Sequence, residues 1–168
     1  VRILYDDIAQ KIEKVDTQNV TIGQGLIVKK AVEIIRKSGG VDELFASLDY
    51  YITNAVLYFT VDNLYWLKRS GKANFLSSFI GSLLEIKPII GLENGQLVPL
   101  AKHRGRQTAI DGLVEQGRQA IDLFQGQCEI WIAHADALDK AYYIQEELAY
   151  RTGFFKDTIP IGIVSFKK

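Results

Sequence analysis

Apolar positions in the first fifty residues repeat at helical spacing. Ile3, Leu4, Ile8 and Ile12 predict a helix over 3–13, and Ile27, Ala31, Ile34 and Ile35 predict another from about Leu26 to Lys37. Ser38-Gly39-Gly40 stops the second, and Asp42 caps a third, roughly 43–53. Between the first two, Asp16 to Val20 reads as a short strand or turn. One strand is not a sheet, so this helical part must pack against something else.

The pattern changes at residue 55. AVLYFTV, 55–61, is rich in β-branched and aromatic residues and predicts a buried strand. Asp62 then caps a short helix, NLYWLKR, that ends at Ser70-Gly71. Leu76, Phe79, Ile80 and Leu83 fall at i, i+3, i+4 and i+7, the apolar stripe of a helix over 73–84. IKPIIGLE and QLVPLAK flank Asn94-Gly95, a strong hairpin signal, and Pro99 puts the second strand on an edge or at a bulge. Ile110, Leu113, Val114, Ile121 and Phe124 stripe a long helix over 106–125. EIWIA, 129–133, alternates as a strand; Asp136 starts a helix to about Thr152, closed by Gly153; a last strand lies near 159–166. From residue 55 the order is β-α-α-β-β-α-β-α-β. It predicts an α/β fold, a two-layer mixed sheet with helices on one face.

Charge removes some functions. The chain has 168 residues, with 20 basic and 20 acidic side chains and a formal charge of +0. A nucleic-acid domain normally carries a basic excess, so none is expected as partner. The single Cys128 rules out an internal disulfide framework and fits a reducing, cytoplasmic setting. No apolar run approaches the roughly 20 residues of a bilayer span, and VRILYDDIAQ lacks the apolar block of a signal peptide. With no Met and a start at Val1, the chain reads as a piece of something longer.

Candidate chemistry is sparse. His103 and His134 are far apart in sequence, no Cys/His pair has metal-ligand spacing, and no Gly-x-Ser-x-Gly elbow occurs. No catalytic residue, metal or cofactor is therefore expected. Gly23-x-Gly25 opens a helix and is either an anion cradle or, more simply, a helix-entry turn. Lys102-His103-Arg104-Gly105-Arg106 and Lys68-Arg69-Ser70-Gly71-Lys72 are either solvated loops or docking patches for an acidic partner face or a phosphate. Asp16 and Asp62 read as caps, and His134, in IAHADA, as a local hydrogen-bonding group. Periodicity alone makes the stripe of residues 76–83 core; an apolar helix before an apolar hairpin is also what the wall of a greasy pocket requires.

Four blocks lie between residues 15 and 109. They are Val15-Asp16-Thr17 with Thr21-Ile22-Gly23-Gln24-Gly25-Leu26; Leu64-Tyr65-Trp66-Leu67-Lys68-Arg69-Ser70-Gly71-Lys72; Gly81-Ser82-Leu83-Leu84-Glu85-Ile86-Lys87-Pro88-Ile89-Ile90; and KHRGRQTA, 102–109. In this order they resemble the DegV family, bacterial fatty-acid-binding proteins, some of which present the acid to a separate kinase subunit. The first looks like the family's Val-Asp-Ser/Thr block before its Gly-x-Gly helix. The second resembles Leu-x-Tyr-Leu-Lys-x-Gly-Gly-Arg, with Ser70 for the first Gly and Lys72 for the Arg, so charge is kept but a bidentate contact is lost. The third is close to the family's form, and the fourth is similar to its Lys-x-Arg-x-x-x-x-Ala helix start.

Two of the family's features have no counterpart. Its Asp-Ser/Thr block and Ser-Gly-Thr loop, whose hydroxyls hold the carboxylate, are missing, and Val1 to Ile8 looks like the middle of the helix after that loop. Its His-x-Gly-Pro-Gly loop is replaced by Ile159-Pro160-Ile161-Gly162-Ile163-Val164. The chain resembles the carboxy-terminal two-thirds of such a protein.

The resemblance implies residues 1–53 as the helical remainder of a doubly wound first domain and 54–168 as a second domain. It implies a non-enzymatic carrier that buries a long-chain fatty acid against Phe59, Leu67, Leu76, Phe79, Ile80, Leu83 and Ile89. It implies docking of a fatty-acid kinase at Arg69, Lys72, His103 and Arg104, without stable membrane insertion. Each buried methylene would contribute about 0.8 kcal/mol. The competing expectation is a ligand-free structural or interaction module. A phosphotransfer enzyme using Gly23-x-Gly25 would lack a Walker lysine and a clear set of metal carboxylates.

Overall fold

The computed structural model describes residues 14–38, 41–69, 71 and 85–163. The helix expected over 3–13, Gly39-Gly40, Ser70, Lys72 and the stripe Leu76, Phe79, Ile80 and Leu83 lie outside the described residues.

Helices α1 (Thr21–Ser38) and α2 (Val41–Asn54) pack on each other, burying Ile27 and Leu48. Residues 14–20 form no strand: Asp16 Oδ1 accepts the Gln18 N–H at 2.9 Å, an Asx turn. The first helix starts at Thr21, not near Leu26, because Asn19 organises its entry. Asn19 Oδ1 accepts the Val20 N–H at 3.1 Å, and its Nδ2 donates to the Ala55 carbonyl at 3.0 Å. A Cβ on Gly23 would sit 1.9 Å from that Oδ1, so a larger residue here would displace the Asn19 side chain. Gly23-x-Gly25 is thus a helix-entry turn shaped around an asparagine.

Strands β1 (Tyr58–Thr60), β2 (Ile86–Glu93) and β3 (Gln96–Arg104) form an antiparallel sheet in that order. The AVLYFTV strand is cut to three residues. Asn94 and Gly95, with φ of 50° and 75°, turn the hairpin as their identity predicts. Pro99 satisfies both readings of its position. The strand β3 is an edge, and the register slips there: Ile89 faces Ala101, Ile90 faces Pro99, and Leu100 is the extra, bulged residue. Pro88 is fully buried in the central strand, which is unusual. It is accommodated because β1 reaches only to Ile89, leaving one flank of β2 without a ladder at Pro88.

The short helix α3 (Tyr65–Arg69) is capped by Asn63, whose Oδ1 accepts the Tyr65 N–H at 2.8 Å. Asp62, the expected cap, instead accepts from Arg106 Nε at 2.9 Å and from its Nη2.

Helix α4 (Arg106–Leu123) covers all three strands of the sheet. Beyond it, β4 (Ile132–His134), α5 (Leu138–Thr152) and β5 (Ile161–Ile163) make a parallel βαβ unit, with a 3₁₀ turn at Lys156–Thr158. Strand β4 begins later than the alternation of EIWIA suggests, since Glu129 and Trp131 bond to each other and toward α1. Helix α5 begins at Leu138, not Asp136, and ends at Gly153 as predicted. Strands of both orientations are present, as expected for a mixed α/β fold, in two separate sheets among the described residues. The core joins Val114 and Ile121 of α4, Ile132, Ala141 and Leu148, and Ile159. Gln145 is buried among them and donates from Nε2 to the Ile159 carbonyl at 2.7 Å.

Two substitutions test this packing. A Cβ on Gly112 would lie 2.5 Å from His103 Nε2 and 2.7 Å from Ile89 Cδ1. Gly112→Val should therefore lower stability by about 1–3 kcal/mol, seen as a shifted denaturant midpoint. An unshifted midpoint would mean that α4 does not approach the sheet this closely. Gln145→Leu should cost about 1–3 kcal/mol by leaving the Ile159 carbonyl unpaired; a variant as stable as the parent would show that water reaches this group.

Candidate functional site

The stripes that build the core also bound a cavity of 1740 Å³ between α1–α2 and the rest of the chain. Ile22 and Leu26 face it from α1, Phe59 from β1, Leu67 from α3, Leu113 from α4 and Ile144 from α5. Its volume exceeds the roughly 300–1,000 Å³ of a drug-sized ligand pocket. Apolar side chains of amphipathic helices normally meet one another. Here parts of several stripes turn onto a common space, and filling it with hydrocarbon would remove that surface from water.

The expected apolar residues separate. Phe59 and Leu67 line the cavity. Ile89 is fully buried and packs toward Gly112 of α4, away from the cavity lining. Leu76, Phe79, Ile80 and Leu83 are outside the described residues. Leu113 was visible as a helix-stripe position and Ile144 was not singled out, and spacing does not say which stripe member faces a core and which a cavity.

The polar wall of the cavity is built around Glu129. Its Oε1 accepts from Lys29 Nζ at 2.5 Å and Trp131 Nε1 at 2.8 Å, and its Oε2 pairs with Lys30 Nζ at 3.0 Å. Lys29 Nζ also lies 5.9 Å from the centre of the Trp131 ring. Glu33 pairs with both lysines, at 3.2 and 3.1 Å. Burial pushes the Glu129 carboxyl up, but the hydrogen bonds from Lys29, Trp131 and Lys30 outweigh it and bring it down to about 2. Hydrogen bonding to Glu129 holds both lysines above their ordinary value. No sequence motif announces this group, because its members come from residues a hundred positions apart.

Other polar groups also reach the cavity lining. His134 Nδ1 accepts the Ala137 N–H at 3.3 Å, the local role expected of it, which puts the proton on Nε2. That Nε2 and Thr60 Oγ1 are buried without a hydrogen-bond partner among the described residues. Burial raises the Cys128 thiol. Among the described residues no group of three His, Cys, Asp or Glu is placed to hold a metal, and no helix is long and apolar enough to cross a membrane.

Of the expected docking residues, Arg69, His103 and Arg104 are described and Lys72 is not. Arg104 is the last residue of β3 rather than the start of a helix; it is highly exposed and its Nε donates to Glu85 at 2.6 Å. An exposed pair of this kind contributes little to stability. His103, its neighbour on the strand, turns to the opposite face, against α4. Arg69, on α3, lies 3.4 Å from the Tyr65 hydroxyl. Arg106 is engaged by Asp62, and Lys87 Nζ donates to the Asp62 carbonyl at 2.5 Å.

This architecture has known counterparts. A family model described as "Uncharacterised protein, DegV family" matches residues 2–166. The chain is 34% identical over 143 residues to a DegV domain-containing protein of Clostridium perfringens, covering 84% of this chain and 48% of that one. It is 32% identical over 136 residues to the protein DegV of Bacillus subtilis, covering 80% and 48%. A fatty acid binding DegV family protein from Streptococcus agalactiae has the same fold, with a TM-score of 0.76, 28% identity, and coverage of 95% of this chain and 56% of that one. The structure of DegV, a fatty acid binding protein from Bacillus subtilis, gives a TM-score of 0.67 at 27% identity, covering 89% and 52%. The chain therefore spans about half the length of the curated relatives it matches. From the family match over nearly its full length, the chain belongs to the DegV family.

Proposed function

We propose that this chain is a non-enzymatic, cytoplasmic carrier that buries a long-chain fatty acid and presents it to a fatty-acid kinase. The observation that carries the reading is the apolar cavity. It is bounded by Phe59, Leu67, Leu113 and Ile144 and lies in a fold shared with proteins described as fatty acid binding. Burying an acyl tail at about 0.8 kcal/mol per methylene would supply most of the affinity. We place the boundary between a partial first domain, 1–53, and a second, 54–168, along the cavity, which takes lining residues from both sides. Leu76, Phe79, Ile80 and Leu83 belong to the proposed slot; Ile89 is better read as support for the sheet beneath it.

Two experiments address the two halves of this reading. Organic extraction of the purified chain, followed by mass spectrometry, should release a long-chain fatty acid. Phe59→Asp or Leu113→Asp should abolish that content, since a charge without a partner in an apolar slot costs several kcal/mol. Circular dichroism separates loss of lipid from loss of fold. Parental lipid content in both folded variants would remove these residues from the slot.

The kinase half rests on the exposed Arg104, with Arg69 and Lys72 as further candidates. A local positive field speeds association and weakens with salt. Arg104→Glu should lower phosphorylation of the bound acid by a partner kinase while leaving lipid content intact, with the parent's coupling falling as salt rises. Equal coupling of variant and parent at low salt would sink the docking assignment.

A further inference from the structure

We infer that the Asp62–Arg106 ion pair, with Lys87, holds one wall of the cavity against the ligand's tail and so sets how long the tail stays bound. The inference rests on the carrier reading above and deepens it: it concerns retention of the tail and leaves the head group aside. Asp62 and Arg106 are positioning residues here, acting through Phe59 and Leu67.

The loop between β1 and α3 is fixed from two directions at one residue. Arg106, the first residue of α4, donates from Nε at 2.9 Å to one carboxylate oxygen of Asp62 and from Nη2 to the other. Such a fork fixes direction as well as distance. From the central strand β2, Lys87 Nζ donates to the Asp62 carbonyl at 2.5 Å. Side chain and main chain of Asp62 are thus held by two different elements. The next residue, Asn63, caps α3, so fixing Asp62 also fixes where α3 starts. Phe59 lies before this loop and Leu67 after it, and both line the cavity, as do Asp62, Lys87 and Arg106. With only five residues, α3 is too short to hold in water by itself. Among the described residues no other helix or strand packs extensively on it. Its place therefore depends on the loop that leads into it. Both side chains of the pair are more than half exposed, so water and salt reach them. An exposed pair contributes little to global stability. Its effect is local: it decides where the loop and Leu67 lie, not whether the chain folds.

A group that touched the ligand's acid end would act on the head alone, whereas a tie in the wall acts on any tail. The test compares oleate with oleyl alcohol, equal in tail and different in head. Each is loaded on the intact chain, and its release into excess phosphatidylcholine vesicles is timed. Asp62→Asn removes the charge and keeps the carbonyl that Lys87 holds. It should speed release of both probes roughly two- to fivefold, the range open to an exposed pair, with the denaturant midpoint unmoved. Arg106→Gln should do the same, and the double variant should be no faster than either single one, since all three remove one interaction. Release of the uncharged alcohol should quicken with salt in the parent and not in Asp62→Asn. Parental release rates in both single variants overturn the tie and leave the carrier reading standing. Faster release of oleate alone also overturns it, because the pair would then act on the head group. A parent that takes up neither probe overturns the carrier reading and the tie's role with it.

Discussion

Helix α4 has to lie close to two surfaces at once, and the rest of the molecule is arranged around that demand. On one side it meets the three-stranded sheet at Gly112, where His103 and Ile89 occupy the space a side chain would need. On another it meets α5 at Gly117, where a Cβ would come within 3.0 Å of Leu148. Two missing side chains let a single helix join an antiparallel sheet to a parallel βαβ unit that shares no ladder with it among the described residues. Val114, between these contacts, and Ile121, beyond them, complete the core with Ile132, Ala141 and Leu148. Close packing of this sort leaves little tolerance for added volume.

A helix committed on two sides has a third to offer, and Leu113 shows it. That residue turns onto the cavity, which apolar side chains from α1, β1, α3 and α5 also line. The cavity is thus made from the surplus of stripes whose other members are core. An apolar lining with a few polar groups at its edge suits a ligand that gains affinity from its tail and orientation from its head. The Glu129 cluster is a connected polar group on that wall, and it also ties α1 to the segment before β4.

Much of the architecture was legible in the chain because it rests on local chemistry. The hairpin followed from Asn94-Gly95, the end of α5 from Gly153, and the order of elements from residue 86 on from periods of two and of about four residues. Pro99 marked an edge and a bulge because a residue without an N–H is disfavoured where a strand is paired on both flanks. Family membership was legible too, since its blocks are stretches of consecutive residues in fixed order.

Where local signals competed with distant partners, the tertiary structure decided. Asp62 looked like a cap, but Arg106 claims it, and Asn63 caps the helix instead. Asn19 starts α1 at Thr21 only because the Ala55 carbonyl and the bare Cα of Gly23 are there to receive its side chain. EIWIA alternates like a strand, yet only its end enters a ladder, because Glu129 and Trp131 turn to each other and toward α1. Ile89 and Phe59 are both apolar strand residues; one fills the core under α4 and the other lines the cavity. Periodicity assigns a residue to a face. Whether that face meets a neighbour or a cavity, and which charge meets which, depends on residues far away along the chain, which only the folded structure brings together.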